Sequence, residues 1–179
     1  MAIPYVKQTW TDGVSSASAA RMGVLEQGVS DISSAPCARV FHNAAQATVS
    51  GTPLVLAFNS ERFDVDGLGT STIHDTVTNN SRLTVRVAGK YQISGNIVFI
   101  GAAGGTFRQL DIRLNGTATL LAADLQNPNG VANILNVSTL YDMAVNDYVE
   151  LRATQDSGGA LNVSVSANYS PEFMMVRVA

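Results

Sequence analysis

The chain has 179 residues and a formal net charge of −3, which suits one domain or one domain with an appended segment. Hydrophobic residues make up 46% of the chain and charged residues only 14%, against roughly 25% charged in typical soluble domains. A weakly acidic surface of this kind supplies no cationic field for phosphates, so nucleic acid is excluded as the expected partner.

A short extended peptide opens the chain at residues 3–10. The first ten residues lack the apolar core of a signal peptide, and no run approaches the roughly 20 apolar residues of a membrane-spanning helix. We therefore expect no membrane insertion. Tyr5 and Trp10 are candidate contacts with a partner protein, because large aromatic side chains contribute strongly to interface energies. The alternative for Trp10 is packing against its own domain.

A short helix is predicted next, over residues 17–32. Ser18, Met22, Leu25, Val29 and Ile32 are spaced by four, three, four and three residues, which is the spacing of a short coiled-coil seam. A helix of this length is marginal alone, and two internal glycines weaken it further. We therefore expect Met22, Leu25 and Val29 to contact partners, either two other copies of the helix or a surface to which the protein attaches. The alternative is that the helix packs on its own domain.

From residue 37 onward the dominant pattern alternates with a period of two, which predicts β-strands. Residues 82–87, 148–153 and 161–167 each alternate between polar and apolar side chains. Turn signals separate the strands at Asn115-Gly116, Asn146-Asp147 and Gly158-Gly159. About eight strands at intervals of roughly ten residues predict an antiparallel sandwich or barrel. No helical period separates them, as a parallel α/β fold would require.

The strand predicted over residues 91–100 is apolar on both faces in its second half. Tyr91, Ile97 and Phe99 share one face, while Val98 and Ile100 lie on the other. A strand that is buried on both faces needs cover from two sides, and we expect part of that cover from another subunit. Tyr91, Ile97 and Phe99 are therefore assigned to a trimer interface, with the core of the chain itself as the alternative for Tyr91 and Phe99.

Residues 81–95 read SRLTVRVAGKYQISG, a sequence of strand, glycine, aromatic residue and strand. This run resembles the signature of the trimeric jelly rolls of the complement first-component q head and the tumour necrosis factor superfamily. The hairpin at residues 114–116, the run at 146–151 and the final apolar strand follow in a similar order. The resemblance spans residues 38–179 and implies an all-β, antiparallel jelly-roll sandwich that is homotrimeric. The Gly-X-Y stalk of the animal complement heads does not occur in the sequence, so an animal immune role is not expected.

The N-terminal segment carries a separate resemblance. Residues 10–13, followed by residues 17–29, are similar to the leading segment of bacteriophage tail, fibre and head-decoration proteins. In those proteins such a segment joins a fibre or knob to the virion. The resemblance implies that residues 1–36 are an anchoring segment and that residues 37–179 form the jelly-roll domain. The residues assigned to virion anchoring are Tyr5, Trp10, Met22, Leu25 and Val29.

The predicted function is that of a structural phage virion protein, a trimeric capsid decoration, head fibre or tail-fibre knob. Its partners would be two copies of itself and a capsid or tail protein, on a virion surface assembled in the host cytoplasm. The alternative is a receptor- or glycan-binding module for host attachment, since jelly rolls also serve as lectins. A hydrolase has the least support, because no convergent nucleophile, base and acid can be named. We therefore expect no enzymatic activity, no catalytic residue and no cofactor.

Few residues suggest metal or thiol chemistry. Asp64 and Asp66 invite a calcium interpretation, but an EF-hand register that begins at Asp64 places an apolar residue at the fifth position, so an ordinary solvated turn is favoured and no metal is expected. His42 and His74 lie in no catalytic or ligand signature and favour single hydrogen bonds in loops or at strand edges. Cys37 is the single cysteine and allows no internal disulfide, so a buried or loop thiol is favoured.

Overall fold

The computed structural model describes residues 19–33, 35–69, 72–101, 104–117 and 119–179. Within them lie one helix and twelve strands: α1 (Ala19–Ser33), β1 (Cys37–Phe41), β2 (Gln46–Thr48), β3 (Leu54–Val55), β4 (Ser60–Val65), β5 (Arg82–Thr84), β6 (Gly89–Ile100), β7 (Arg108–Leu114), β8 (Leu120–Gln126), β9 (Ala132–Met143), β10 (Tyr148–Gln155), β11 (Leu161–Val163) and β12 (Glu172–Arg177). Over these same ranges, no helix combines the length and hydropathy that crossing a bilayer requires.

The helix α1 forms where the sequence predicts it. It begins in an alanine-rich run and ends shortly before Pro36, because a proline disfavours the helical conformation of the residue before it. Met22, Leu25 and Val29 are all exposed, so these seam residues remain accessible to a partner. Tyr5, Trp10 and Ser18 lie outside the described residues.

The described strands form two antiparallel sheets. In the large sheet β6 pairs with β9 on one side and with β12 on the other, and β1 and then β4 follow β12. Near its end, β6 also pairs with β11, and β2 lies next to β11. In the small sheet β10 pairs with β3, β5 and β7, and β8 follows β7. This architecture confirms the predicted all-β, antiparallel jelly-roll sandwich. The sequence-based boundary at residue 36 remains a prediction.

The core fills the space between the two sheets and takes one face of each long strand. The ring of Phe173 stacks on that of Phe58 with 5.7 Å between centroids. Gly95 of β6 lets the small sheet approach closely, because a Cβ atom at this position would lie 2.6 Å from Cδ1 of Leu151. The two sheets therefore pack tightly at the middle of β6.

Tyr91, Ile97 and Phe99 belong to this core, which corrects their assignment to a trimer interface. All three side chains are fully buried within the single chain, so they have no surface left to contact a second copy. Val98 on the opposite face is also buried by its own chain, whereas Ile100 is half-exposed. The alternation correctly predicted that the three residues share a face. The small sheet supplies the cover that was expected from another subunit.

The predicted turns position the strands, with one difference. Asn115 and Gly116 both have positive φ angles, of 52° and 62°, as the two central residues of a type I′ turn require, and the N–H of Thr117 closes this turn on the carbonyl of Leu114 at 3.0 Å. The strand predicted over residues 161–167 ends at Val163, because the chain then folds back. Ser170 donates its hydroxyl to the carbonyl of Ser164 at 2.6 Å, which closes a loop in place of further pairing.

Candidate interaction surfaces

The side of the large sheet that faces away from the core, the outward face, carries no charged residue along most of its two longest strands. The outward positions of β6 and β9 between residues 92 and 140 are Gln92, Ser94, Asn96, Val98, Ile100, Ala132, Ile134, Asn136, Ser138 and Leu140. They pair directly across the two strands, with Gln92 opposite Leu140 and Val98 opposite Ile134. Depletion of charge is a property of the cores of protein interfaces, so this face has the composition of a contact surface.

Exposed apolar side chains lie on the same face. One row across five neighbouring strands runs through Val65, Cys37, Val176, Gln92 and Leu140. Leu140 is 57% exposed and Val176 39%. Apolar groups that gather on one surface mark interaction sites more reliably than single exposed ones.

The carboxylate on the outward side of β12 is neutralised within the chain. Glu172 is fully buried and accepts hydrogen bonds from Nε of Arg39 and from Nε and Nη2 of Arg62, the latter two at 2.8 and 2.6 Å. The two arginines also donate to the carbonyl groups of Asn168 and Ala167. The cluster therefore fixes the loop after β11 onto the outward face and leaves no unpaired carboxylate there.

The carboxylates at residues 64 and 66 cap the loop that follows β4. The two oxygens of Asp64 accept the backbone N–H groups of residues 73 and 74, each at 2.9 Å. Asp66 accepts those of residues 68 and 69 at 2.9 and 2.7 Å. Burial raises the pKa of Asp64, against the opposing effect of its hydrogen bonds. These contacts are those of a capped turn, although Asp66 is buried and not solvated as predicted.

The thiol and the two imidazoles hold local structure. Burial, followed by the nearby carboxylate of Asp64, raises the pKa of the Cys37 thiol, which favours the unreactive protonated form. His74 is buried, with Nδ1 2.9 Å from Oε1 of Glu61 and Nε2 3.1 Å from a backbone carbonyl. Nδ1 of His42 lies 2.8 Å from the carbonyl two residues ahead.

A polar cleft of about 380 Å³ opens on the small sheet, between β5, the start of β10 and the loop of residues 72–81. The cleft is lined by Ile73, Asp75, Thr78, Asn79, Arg82, Thr84, Arg86, Asn146 and Tyr148. Only one of these side chains is aliphatic. The cleft is therefore a second candidate site, with a chemistry opposite to that of the outward face.

Neither surface was predicted from the sequence at the level of residues. The outward apolar positions Ile134, Leu140 and Val176 have the opposite parity to the core residues of their strands. The signal that could have found them is a strand with apolar residues at both odd and even positions, the same signal that residues 97–100 show. Met22, Leu25 and Val29, the described residues that were predicted to anchor the chain, lie on α1, which precedes both surfaces in the sequence.

No protein-family model and no curated protein matches the sequence. The solved structures similar to this chain include Eiger TNF from S. frugiperda, with a TM-score of 0.58 and 13% identity over 81% of this chain and 93% of that one. They also include murine APRIL at pH 8.0, with a TM-score of 0.58 and 10% identity over 80% and 98%, and at pH 5.0, with 0.55 and 9% over 80% and 99%. Identities this low show the fold alone. The chain has a jelly-roll fold similar to that of tumour necrosis factor proteins.

Proposed function

We propose that the chain is a non-enzymatic attachment module that works as a homotrimer closed through the outward face of the large sheet. The observation that supports this is the outward face of β6 and β9, which carries no charged residue between residues 92 and 140 and is partly apolar. Burial of exposed Leu140, Ile134 and Val176 in each of three subunits would be favourable, at roughly 25 cal/mol per Å² of apolar surface. Closed cyclic symmetry also places identical surfaces around one axis.

At finer detail, we propose a phage virion protein that decorates a capsid or forms a fibre knob. Residues 1–36 would anchor it to a capsid or tail protein on the virion surface, after assembly in the host cytoplasm. The exposed Met22, Leu25 and Val29 on α1 support this role, because a short helix with an uncovered apolar seam needs a partner to be stable. Three anchors on one trimer would bind by avidity.

The mass of the purified chain in solution tests the trimer. We expect three times the 18.8 kDa of one chain by light scattering at micromolar concentration. Val176→Glu places a carboxylate in the proposed contact and should shift the mass to that of one chain, because an unpaired charge is costly to bury. Val77→Glu is the matched control, since Val77 is exposed in the loop beside β5 and should leave the trimer intact. A monomeric unmodified chain would contradict the proposal.

Deletion of residues 1–34 tests the anchor separately. The truncated chain should remain folded and trimeric but should be missing from purified virions when it is supplied during particle assembly. Triple replacement of Met22, Leu25 and Val29 by serine should reproduce the loss in the full-length chain. Normal incorporation of the truncated chain would contradict the anchoring role and leave the trimer unaffected.

A further inference from the structure

The polar cleft on the small sheet is built from parts of the chain that are far apart in sequence. Arg82, Thr84 and Arg86 follow one another on the outer side of the β5 segment, and Tyr148 lies directly opposite Thr84 on β10. The loop of residues 72–81 is tied to β5 by the hydrogen bond from the N–H of Thr84 to the carbonyl of Ile73, at 2.8 Å. The walls of the cleft therefore have fixed positions.

The charged side chains of the cleft are held in place by contacts with the rest of the chain. Nε of Arg82 donates to Glu150 at 3.2 Å, and its guanidinium carbon lies 4.1 Å from the centroid of the Tyr148 ring. Nε of Arg86 donates to the carbonyl of Thr72 at 2.6 Å. Asp75 accepts the N–H groups of residues 77 and 78. Side chains fixed in this way lose little conformational entropy when a ligand binds.

Several polar groups of the cleft retain hydrogen-bonding capacity. Within the part of the chain that the structure describes, no hydrogen bond engages the terminal nitrogens of Arg86, the side-chain amide of Asn146 or the hydroxyl of Thr84. The charge of Arg82 is balanced by Glu150, while Asp75 is used as a loop cap. Arg86 therefore supplies the cationic group available to a ligand.

We propose that the polar cleft binds an acidic saccharide, a sugar ring that carries a carboxylate. Arg86 would pair with the carboxylate, since a guanidinium presents two parallel donors to it, and the amide of Asn146 and the hydroxyl of Thr84 would bind sugar hydroxyls. The volume of about 380 Å³ falls within the roughly 300–1,000 Å³ of small-molecule sites. This inference rests on the attachment function. The cleft itself does not depend on the trimer, because all nine lining residues come from one chain.

Calorimetric titration of the full-length chain with methyl glucuronoside and methyl glucoside tests the proposal. The acidic glycoside should bind at least about tenfold more tightly than the neutral one, and Arg86→Gln should remove that difference, since loss of a charge-assisted hydrogen bond weakens binding by about this factor. Asn146→Gly should weaken both glycosides severalfold. It keeps the fold because glycine tolerates the φ of 71° at this position.

Lys90→Gln is the charge-matched control, because Lys90 is an exposed cation on the large sheet and its removal should not change binding. Equal affinity for the two glycosides, absence of heat at about 10 mM ligand, or equal losses in Arg86→Gln and Lys90→Gln would each overturn the proposal. Binding of an acidic peptide in place of either glycoside would also overturn it. A monomeric chain would still contain the cleft, so failure of the trimer and failure of the saccharide site are distinguishable.

Discussion

Replacement of Glu172 by glutamine removes the buried charge that joins β12 to two arginines. The carboxylate accepts three hydrogen bonds from Arg39 and Arg62, and its side chain is 1% exposed. Loss of one partner from a fully buried pair costs about 3–5 kcal/mol. The arginines are 31% and 27% exposed, so water can solvate part of their charge. We expect the free energy of unfolding to fall by about 2–3 kcal/mol, and the melting temperature by roughly 5–10 °C.

Urea unfolding followed by far-ultraviolet circular dichroism measures this loss. All samples need the same chain concentration, because assembly of the folded state raises apparent stability by mass action. Asp142→Asn is the matched control: the Lys90–Asp142 pair spans 4.0 Å and its side chains are 57% and 75% exposed, so we expect a change within about 0.5 kcal/mol. Equal losses of stability in the two variants would show that burial gives the Glu172 cluster no advantage over an exposed ion pair.

Three further changes probe the loops and the thiol. Hydrogen bonds from the backbone of residue 107 and from residue 106 hold the pKa of Asp156 below its usual range. The ionised carboxylate of Asp156 therefore stabilises the fold above an unfolded-state pKa of about 4, and this stabilisation is lost as the pH falls through the lower folded-state pKa. The difference in melting temperature between the unmodified chain and Asp156→Asn should shrink below pH 4. A difference that stays constant with pH would contradict this. Gly105→Ala should destabilise more than Gly158→Ala: both glycines have φ near +85°, but only a Cβ atom at residue 105 would overlap Asp156. Equal melting temperatures would show that the overlap is relieved. Because the pKa of Cys37 is raised, iodoacetamide should label the native chain more slowly than the urea-unfolded chain, and equal rates would rule out protection.

The alternation of side chains predicted the strands and the shared face of Tyr91, Ile97 and Phe99, because a pleated strand has a period of two. It did not predict what covers that face. Cover depends on which strands of the other sheet pack on that face, and Leu151 of β10, more than 50 residues later in the chain, is the side chain that lies against Gly95 of β6. The same information was missing for Glu172, which reads as an ordinary polar position in an alternating strand. Its burial follows from arginines on β1 and β4 that the fold brings to it.

The polar cleft could be predicted only in part. The sequence places Arg82, Thr84 and Arg86 on one side of a strand, and these are three of the nine lining residues. Asn146 and Tyr148 join them through the pairing of β5 with β10, across more than 60 residues. Solvated faces of strands commonly carry such residues, so the pattern alone does not separate a site from a surface.

The two proposed surfaces lie on different sheets, which has a consequence for binding. A trimer closed through the outward face of the large sheet would leave three clefts on the small sheets accessible. Linked sites can raise overall binding to a glycan-coated surface by about 10²–10⁴ over one site. Val176→Glu, by blocking assembly, should therefore greatly reduce retention on a surface coated with acidic glycan while the calorimetric affinity for methyl glucuronoside stays unchanged. Equal retention of the unmodified and variant chains would show that the clefts do not act together.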